Sequence, residues 1–205
     1  MARPKIDSNR AENIIEAADE LFARYGYERT SMDDIARHLG IGKGSIYLDF
    51  RTKEEILLRI LERYAKTMQM NFRLSMMNSE ASPLSILRDD FINGCISVYD
   101  RVTRDIHTPE TLLHTSAAIK KHFAEFFVSR RQLIHELLRR AADAGEIPQS
   151  KATEQTALMV MMMTSALYPP YLDNYSESVT IKSREDLIAI APVIVDLLLD
   201  GLTKE

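Results

Sequence analysis

A very short turn between two short helical segments constrains this chain more than any other feature of its sequence. The first segment starts at Ser31 and ends at Gly40, which can take the left-handed conformation that closes a helix. The second, residues 42–50, follows after Ile41 alone. Two short helices joined so tightly cannot lie antiparallel with full contact. We therefore expect them to cross steeply, as in a helix-turn-helix.

The second of these segments would form a helix with one buried and one open side. At 3.6 residues per turn, Ile46 and Phe50 share one side, while Gly44 and Leu48 point away from it. The open side carries few bulky groups, so the helix is suited to entering a DNA groove with phosphates along its edges.

Composition favours an all-α fold of about nine helices. Apolar residues make up 45% of the 205 residues, and glycine and proline number only seven each. The net charge of −4 argues weakly against nucleic-acid binding when the chain is taken whole. Residues 1–66, however, hold twelve basic and twelve acidic residues, so the acidic excess lies in the remainder. A neutral first third with clustered bases permits a local DNA-binding face.

The helical patterns divide into two predicted domains. Residues 1–53 would form a three-helix helix-turn-helix domain, and residues 54–205 a helical ligand-binding and dimerisation bundle. Ser82-Pro83, and Ser183 with Asp186, supply capping residues for two of the later helices. The predicted helices after the third cover about 53–78, 84–105, 108–114, 119–144, 151–168 and 184–203.

Several stretches within residues 8–60 resemble a known family. They read AADELFARYGY at 17–27, TSMDDIA at 30–36, GIGKGSIY at 40–47 and KEEIL at 53–57. This pattern is similar to the N-terminal signature of TetR-type transcriptional repressors. The resemblance implies a ligand-responsive repressor that binds a palindromic operator as a homodimer and is released by a small apolar or amphipathic effector.

The residues expected at double-stranded DNA follow from helix-end chemistry and from the resemblance. Helix N-termini suit phosphate, and a glycine lets a helix approach closely. The resemblance implies phosphate contacts at Tyr47 and Lys53, and base contacts from the exposed side of the third helix. The predicted DNA-binding residues are Ser31, Lys43, Gly44, Ser45, Tyr47, Leu48, Asp49 and Lys53.

Asp49 fits this surface poorly, because a carboxylate repels phosphate and is unfavourable at a helix C-terminus. It would either accept a hydrogen bond from a cytosine amino group or pair with a nearby arginine such as Arg51. We favour the pairing.

The second domain carries the predicted effector pocket and dimer interface. The resemblance implies a cavity among the middle helices, and an interface formed by residues 152–168 and 184–203. The predicted ligand-binding residues are Phe91, Tyr99, Phe123, Phe127, Met162 and Tyr168. The predicted interface residues are Met159, Met163, Leu187, Ile190, Ile194, Leu197 and Leu198. For both sets, ordinary core packing is the competing interpretation.

Other classes of function have less support. We find no metal-ligand spacing, nucleophile elbow or Gly-rich phosphate loop, so we expect no enzyme activity, metal or cofactor. A lone cysteine, no signal-peptide pattern and no membrane-spanning run predict a cytoplasmic protein. The alternative function is a small-molecule-binding helical protein whose DNA-binding domain is weakened or degenerate.

Overall fold

The computed structural model of the chain describes residues 8–78, 80–106, 123–168, 181 and 183–204, and each regular element within them is helical. The α-helices are α1 (Ser8–Tyr25), α2 (Met32–Leu39), α3 (Lys43–Asp49), α4 (Lys53–Asn78), α5 (Pro83–Tyr99), α6 (Ala124–Asp143), α7 (Glu154–Thr164) and α8 (Arg184–Thr203). A π-helical segment, Asp100–Ile106, follows α5, and 3-10 turns at Gln149–Lys151 and Ser165–Leu167 flank α7. The predicted all-α class is confirmed.

Individual helices differ from the predictions mainly at their ends. The fifth predicted helix was expected to run to about residue 105, but its α-helical part ends at Tyr99 and a π-helical segment continues. The eighth is shorter than predicted, with α-helix only from Glu154 to Thr164. The predicted sixth helix, 108–114, lies outside the described residues.

Side-chain caps fix the helix starts as the sequence predicts. The Ser31 side chain accepts from the backbone N–H of Asp34, whose carboxylate bonds back to Ser31, so α2 begins with a complete capping box. Ser183 and Asp186 do the same for α8. Ser82 caps α5, with Pro83 in its first turn.

The first of two compact units contains the described residues 8–66 and 102–106. Its core collects the apolar faces of α1, α2, α3 and the first half of α4. The fully buried large side chains there are Phe22, Ile14, Ile35, Ile46, Ile56, Leu57 and Ile60. The domain boundary at residue 53 stays a prediction, and the compact unit itself extends along α4 to Lys66.

The second unit has a separate core built from α5, α6, α7, α8 and the second half of α4. Arg88 on α5 donates to Asp196 on α8 through Nε–Oδ1 (2.6 Å) and Nη2–Oδ2 (3.0 Å), which ties these two helices together. Cys95 is buried in this core, and burial raises the pKa of its thiol to about 11, so it is a packing residue. In the part of the chain described, no helix is long and apolar enough to cross a membrane.

The turn between α2 and α3 depends on one left-handed residue. Gly40 has φ 66° and ψ 27°, and its N–H and that of Ile41 bond back to carbonyls of α2. We expect Gly40→Ala to lower the free energy of unfolding by roughly 1–2 kcal/mol, because the left-handed conformation is unfavourable for a residue with Cβ. Urea unfolding followed by circular dichroism measures this change.

Gly44→Ala is the matched control. Gly44 lies inside α3, and a Cβ there meets no atom within 4 Å. The same substitution should stabilise the fold by about 0.5–1 kcal/mol at this position. If Gly40→Ala were also neutral or stabilising, the left-handed turn would not be the constraint that we describe.

Candidate nucleic-acid interface

The third helix has one buried and one exposed side, as its sequence predicts. Ile46 and Phe50 are buried in the core of the first unit. Gly44, Tyr47 and Leu48 are exposed on the other side, with Leu48 55% accessible. We call these three residues the open side of α3. Gly44 makes this surface flat, and the side chains of Tyr47 and Leu48 stand beside it. A helix with such a surface can approach the base edges in a DNA groove.

Asp49 does not lie on the open side, which corrects its predicted place among the exposed base-contacting residues. Its carboxylate is 1% exposed and accepts from the Arg10 guanidinium, through Nε–Oδ2 (2.6 Å) and Nη2–Oδ1 (3.1 Å). The predicted pairing with an arginine is therefore confirmed, but Arg51 is the wrong partner. The sequence places residues 46, 49 and 50 on one helical stripe, so Asp49 turns inward with the two apolar anchors.

Two of the predicted DNA-binding residues, Lys43 and Ser31, form hydrogen bonds with carboxylates of α2. The Lys43 ammonium donates to Asp33 at 2.7 Å, and this hydrogen bond raises the pKa of Lys43. The Ser31 hydroxyl donates to Asp34 at 2.5 Å, and this bond lowers the pKa of the Asp34 carboxyl. Both pairs are exposed at the rim, so a phosphate approaching α2 meets negative as well as positive charge.

Lys53 points into the protein. Its ammonium donates to the carbonyls of Tyr27 (2.6 Å) and Thr30 (2.9 Å), with a longer contact to Glu28, and lies 4.2 Å from the centroid of the Tyr27 ring. Desolvation lowers the pKa of Lys53, and burial raises the pKa of Tyr27 to about 12. The lysine thus fastens the start of α4 to the loop between α1 and α2.

Comparisons with known proteins agree with this geometry. The sequence profile described as "Bacterial regulatory proteins, tetR family" matches residues 14–60, which include α2, α3 and the turn between them. The HTH-type transcriptional regulator TtgR of Pseudomonas putida is 25% identical over 168 residues, which cover 78% of each chain. The chain belongs to the TetR family of transcriptional regulators. It is accordingly a DNA-binding transcription factor and not an enzyme, as predicted.

Solved structures show that the likeness in fold extends through about 95% of the chain of this TetR-family protein. A transcriptional regulator from Cytophaga hutchinsonii superposes with a TM-score of 0.71 at 19% identity, covering 96% of this chain and 100% of that one. SmeT, the repressor of the Stenotrophomonas maltophilia multidrug efflux pump SmeDEF, gives 0.66 at 21% identity over 95% and 91%. At these identities the comparison supports the architecture alone.

Sequence reasoning missed Arg10, Asp33 and Tyr27. Arg10 reaches its partner across 39 residues, and Asp33 contacts Lys43 across ten. Helical periodicity places a residue on a face but does not say which face of another helix it meets. The inward stripe of α3 was the one available signal, because a charged residue beside Ile46 and Phe50 requires an opposite charge nearby.

The second unit has an open cleft that the predicted ligand residues do not line. It encloses about 310 Å³ between the second half of α4 and α5. Its walls are Met68, Asn71, Phe72, Ser75, Ala81, Ile86, Asp89, Asp90, Asn93, Gly94 and Ser97. Among the predicted ligand residues, Tyr168 comes against this wall, since a Cβ on Gly94 would lie 3.1 Å from its hydroxyl.

The other predicted ligand residues divide between core and surface. Phe91 and Phe123 are buried and Tyr99 is partly buried, whereas Phe127 and Met162 are 43% and 65% exposed. The structure therefore does not place Phe127 and Met162 in an interior cavity. The run around Met162 is apolar on every side, so periodicity could not tell its inner face from its outer face.

One ion pair lies beside the cleft and contributes Asp90 to its wall. Arg130 on α6 donates to Asp90 on α5, and its guanidinium carbon lies 4.4 Å from the centroid of the Phe72 ring. Burial raises the pKa of Asp90, while the charge of Arg130 acts in the opposite direction. The cleft is thus amphipathic, because Phe72 and the Asp90 carboxylate both lie in its wall.

The predicted dimer residues also lie on two different faces. Met159, Met163 and Leu197 are more than half exposed, and Ile190 and Ile194 are partly buried. Leu187 and Leu198, in contrast, are buried in the core of the unit, so they are wrong as exposed interface residues. The residues predicted for the dimer interface on α8 therefore belong in part to the apolar stripe that packs inside the same chain.

The internal contacts of Lys53 generate a prediction that separates anchoring from phosphate binding. Lys53→Met leaves partly buried carbonyls without their donor, which should destabilise the fold by about 1–3 kcal/mol. The slope of log K against log salt for DNA binding should stay unchanged, because no phosphate contact is lost. Fluorescence anisotropy across a salt series measures this slope, and thermal unfolding measures the loss of stability.

Lys66→Met is the control, because it removes an exposed lysine of the same unit that pairs with Glu62 at 2.8 Å. It should change stability little. If Lys53→Met instead had wild-type stability and a salt slope smaller by about one, Lys53 would contact phosphate, as the family resemblance implies, and would not be an anchor.

Proposed function

We propose that this protein is a homodimeric repressor that binds a palindromic DNA operator and leaves it when a small apolar or amphipathic effector binds the second unit. The observation that carries the proposal is the two-sided α3. Its buried side is fixed in the core of a helix-turn-helix, while its open side presents Gly44, Tyr47 and Leu48. Ser45 and Lys43 lie at the start of the same helix and complete the groove-facing set.

Exposed apolar residues on α7 and α8 support the dimer. These two helices pack on each other, and both carry large apolar side chains on their outer surfaces. The exposed residues are Leu158, Met159, Met162, Met163, Ile188, Val193 and Leu197. A surface of this kind on a soluble helical protein marks an interaction site. A symmetric dimer through it would carry two α3 helices, which a palindrome requires.

The amphipathic cleft supports an effector site in the second unit. Phe72, Ile86 and Met68 offer apolar surface, and Asn71, Asn93 and Asp90 offer polar groups. The similar protein SmeT is named as the repressor of a multidrug efflux pump. The helix α4 runs without interruption from Lys53 to Asn78. A ligand that displaces its second half would therefore also move its first half, which follows α3 directly.

Operator selection tests the DNA-binding part of the proposal. The full chain is used to select duplexes from a random pool, and we expect an inverted repeat whose half-sites lie about one helical turn apart. Tyr47→Phe should then weaken binding by about tenfold or more on every sequence, because a hydrogen bond to a charged phosphate is worth about 1.5–3 kcal/mol. Gel shifts on the selected site measure this loss.

Tyr25→Phe is the matched control, since Tyr25 is as exposed as Tyr47 but lies at the end of α1. It should bind as the wild type does. Selection without an inverted repeat would contradict the palindromic operator, and an unchanged affinity for Tyr47→Phe would remove Tyr47 from the interface.

The dimer is tested by placing charge on the exposed apolar surface. We expect wild-type protein to sediment with a mass near twice 23.4 kDa. Leu197→Lys should yield monomer, because an interface core does not accommodate an unpaired ammonium group. Val128→Lys, at an exposed apolar position of α6, should remain dimeric. A dimeric Leu197→Lys would show that copies associate through another surface.

A further inference from the structure

We propose that Arg10 and Asp49 form a positioning pair that sets the rotation of α3, the proposed recognition helix, about its own axis, and hence its choice of DNA sequence. The pair connects the first turn of α1 to the last residue of α3. The inference rests on the proposed operator binding, and it assigns to these two residues a role in specificity without contact with DNA.

The first step is that α3 needs an external constraint. It has seven residues, and Gly42 caps it without a side-chain hydrogen bond. Isolated helices of this length are unstable in water. Ile46 and Phe50 hold it in the core. Apolar contacts are non-directional, however, so two of them fix the depth of a helix better than its rotation about its own axis.

The second step is that the Arg10–Asp49 contact is directional. One guanidinium donates through Nε and Nη2 to the two oxygens of one carboxylate, at 2.6 and 3.1 Å. A planar fork of this kind holds both partners in a single relative orientation. The Asp49 carboxylate is 1% exposed, while the Arg10 side chain is 32% exposed, so the contact is shielded from water mainly on the α3 side.

The third step links this rotation to recognition. Asp49 lies on the same stripe as Ile46 and Phe50, directly opposite the open side of α3. A small rotation about the helix axis therefore moves Tyr47 and Leu48 sideways relative to the base edges that they would face. Base readout depends on hydrogen bonds and contacts of fixed geometry, whereas phosphate attraction tolerates small shifts. Loss of the pair should reduce specific binding more than non-specific binding.

The experiment replaces the pair by apolar residues of similar size. Removing one partner leaves a buried or unpaired charge and risks unfolding, but replacing both is often tolerated. The central variant is Arg10→Met with Asp49→Leu in the full chain. Its affinity is measured on the duplex selected by wild-type protein and on a scrambled duplex of equal length, each across a salt series.

We expect a folded protein whose ratio of specific to non-specific affinity falls by about tenfold or more, with an unchanged salt slope, because the pair is neutral as a unit. A wild-type ratio would overturn the proposal and leave the pair a merely structural one. A slope smaller by about one would also overturn it, since Arg10 would then be a phosphate contact. An unfolded double variant would overturn it in favour of a folding role.

Two comparisons keep the result separate from other effects. Arg59→Met removes an exposed arginine of the same unit, paired with Glu62 at 2.7 Å, and should leave the affinity ratio unchanged. An equal fall in the ratio for Arg59→Met would overturn the assignment to this pair. If wild-type protein selects no operator at all, the proposed function fails first, before either variant is compared.

Discussion

The helix α3 is too short to hold its own shape, so the DNA binding proposed for its open side depends on what α3 packs against. Helices of fewer than about 12 residues are marginal in water. Here Ile46 and Phe50 supply burial and Asp49 supplies a directional ion pair, all on one side. The open side of α3 is therefore not needed to hold the helix in place. Its residues are free to suit DNA because the inner stripe holds the helix.

Three basic side chains near this surface have partners within the fold. Lys43 contacts Asp33, Arg10 contacts Asp49, and the Lys53 ammonium binds backbone carbonyls. The first 66 residues also hold equal numbers of basic and acidic residues. A protein built this way gains little from long-range attraction to phosphate. Its affinity for DNA would depend more on fitting a particular site than on total positive charge.

Sequence alone gave the fold class, the helix-turn-helix and most helix starts, because caps such as Ser31 and the left-handed Gly40 act within a few residues. It failed where a partner lies far along the chain, as Arg10 does for Asp49. It also failed where a helix carries apolar residues on both its inner and its outer face, as α8 does. Leu187 and Leu198 were assigned to a surface and lie in the core, because periodicity does not distinguish an inner from an outer apolar stripe.

The Arg10–Asp49 pair limits how far the recognition helix is a module that can be exchanged. A transplant of residues 42–50 into a related scaffold would carry the open side intact, but it would bring a carboxylate without its guanidinium. The grafted helix would then bury an uncompensated charge or turn to expose it. Transfer of the DNA preference of this protein to another scaffold therefore requires Arg10 as well, although Arg10 lies 39 positions before Asp49 in the sequence.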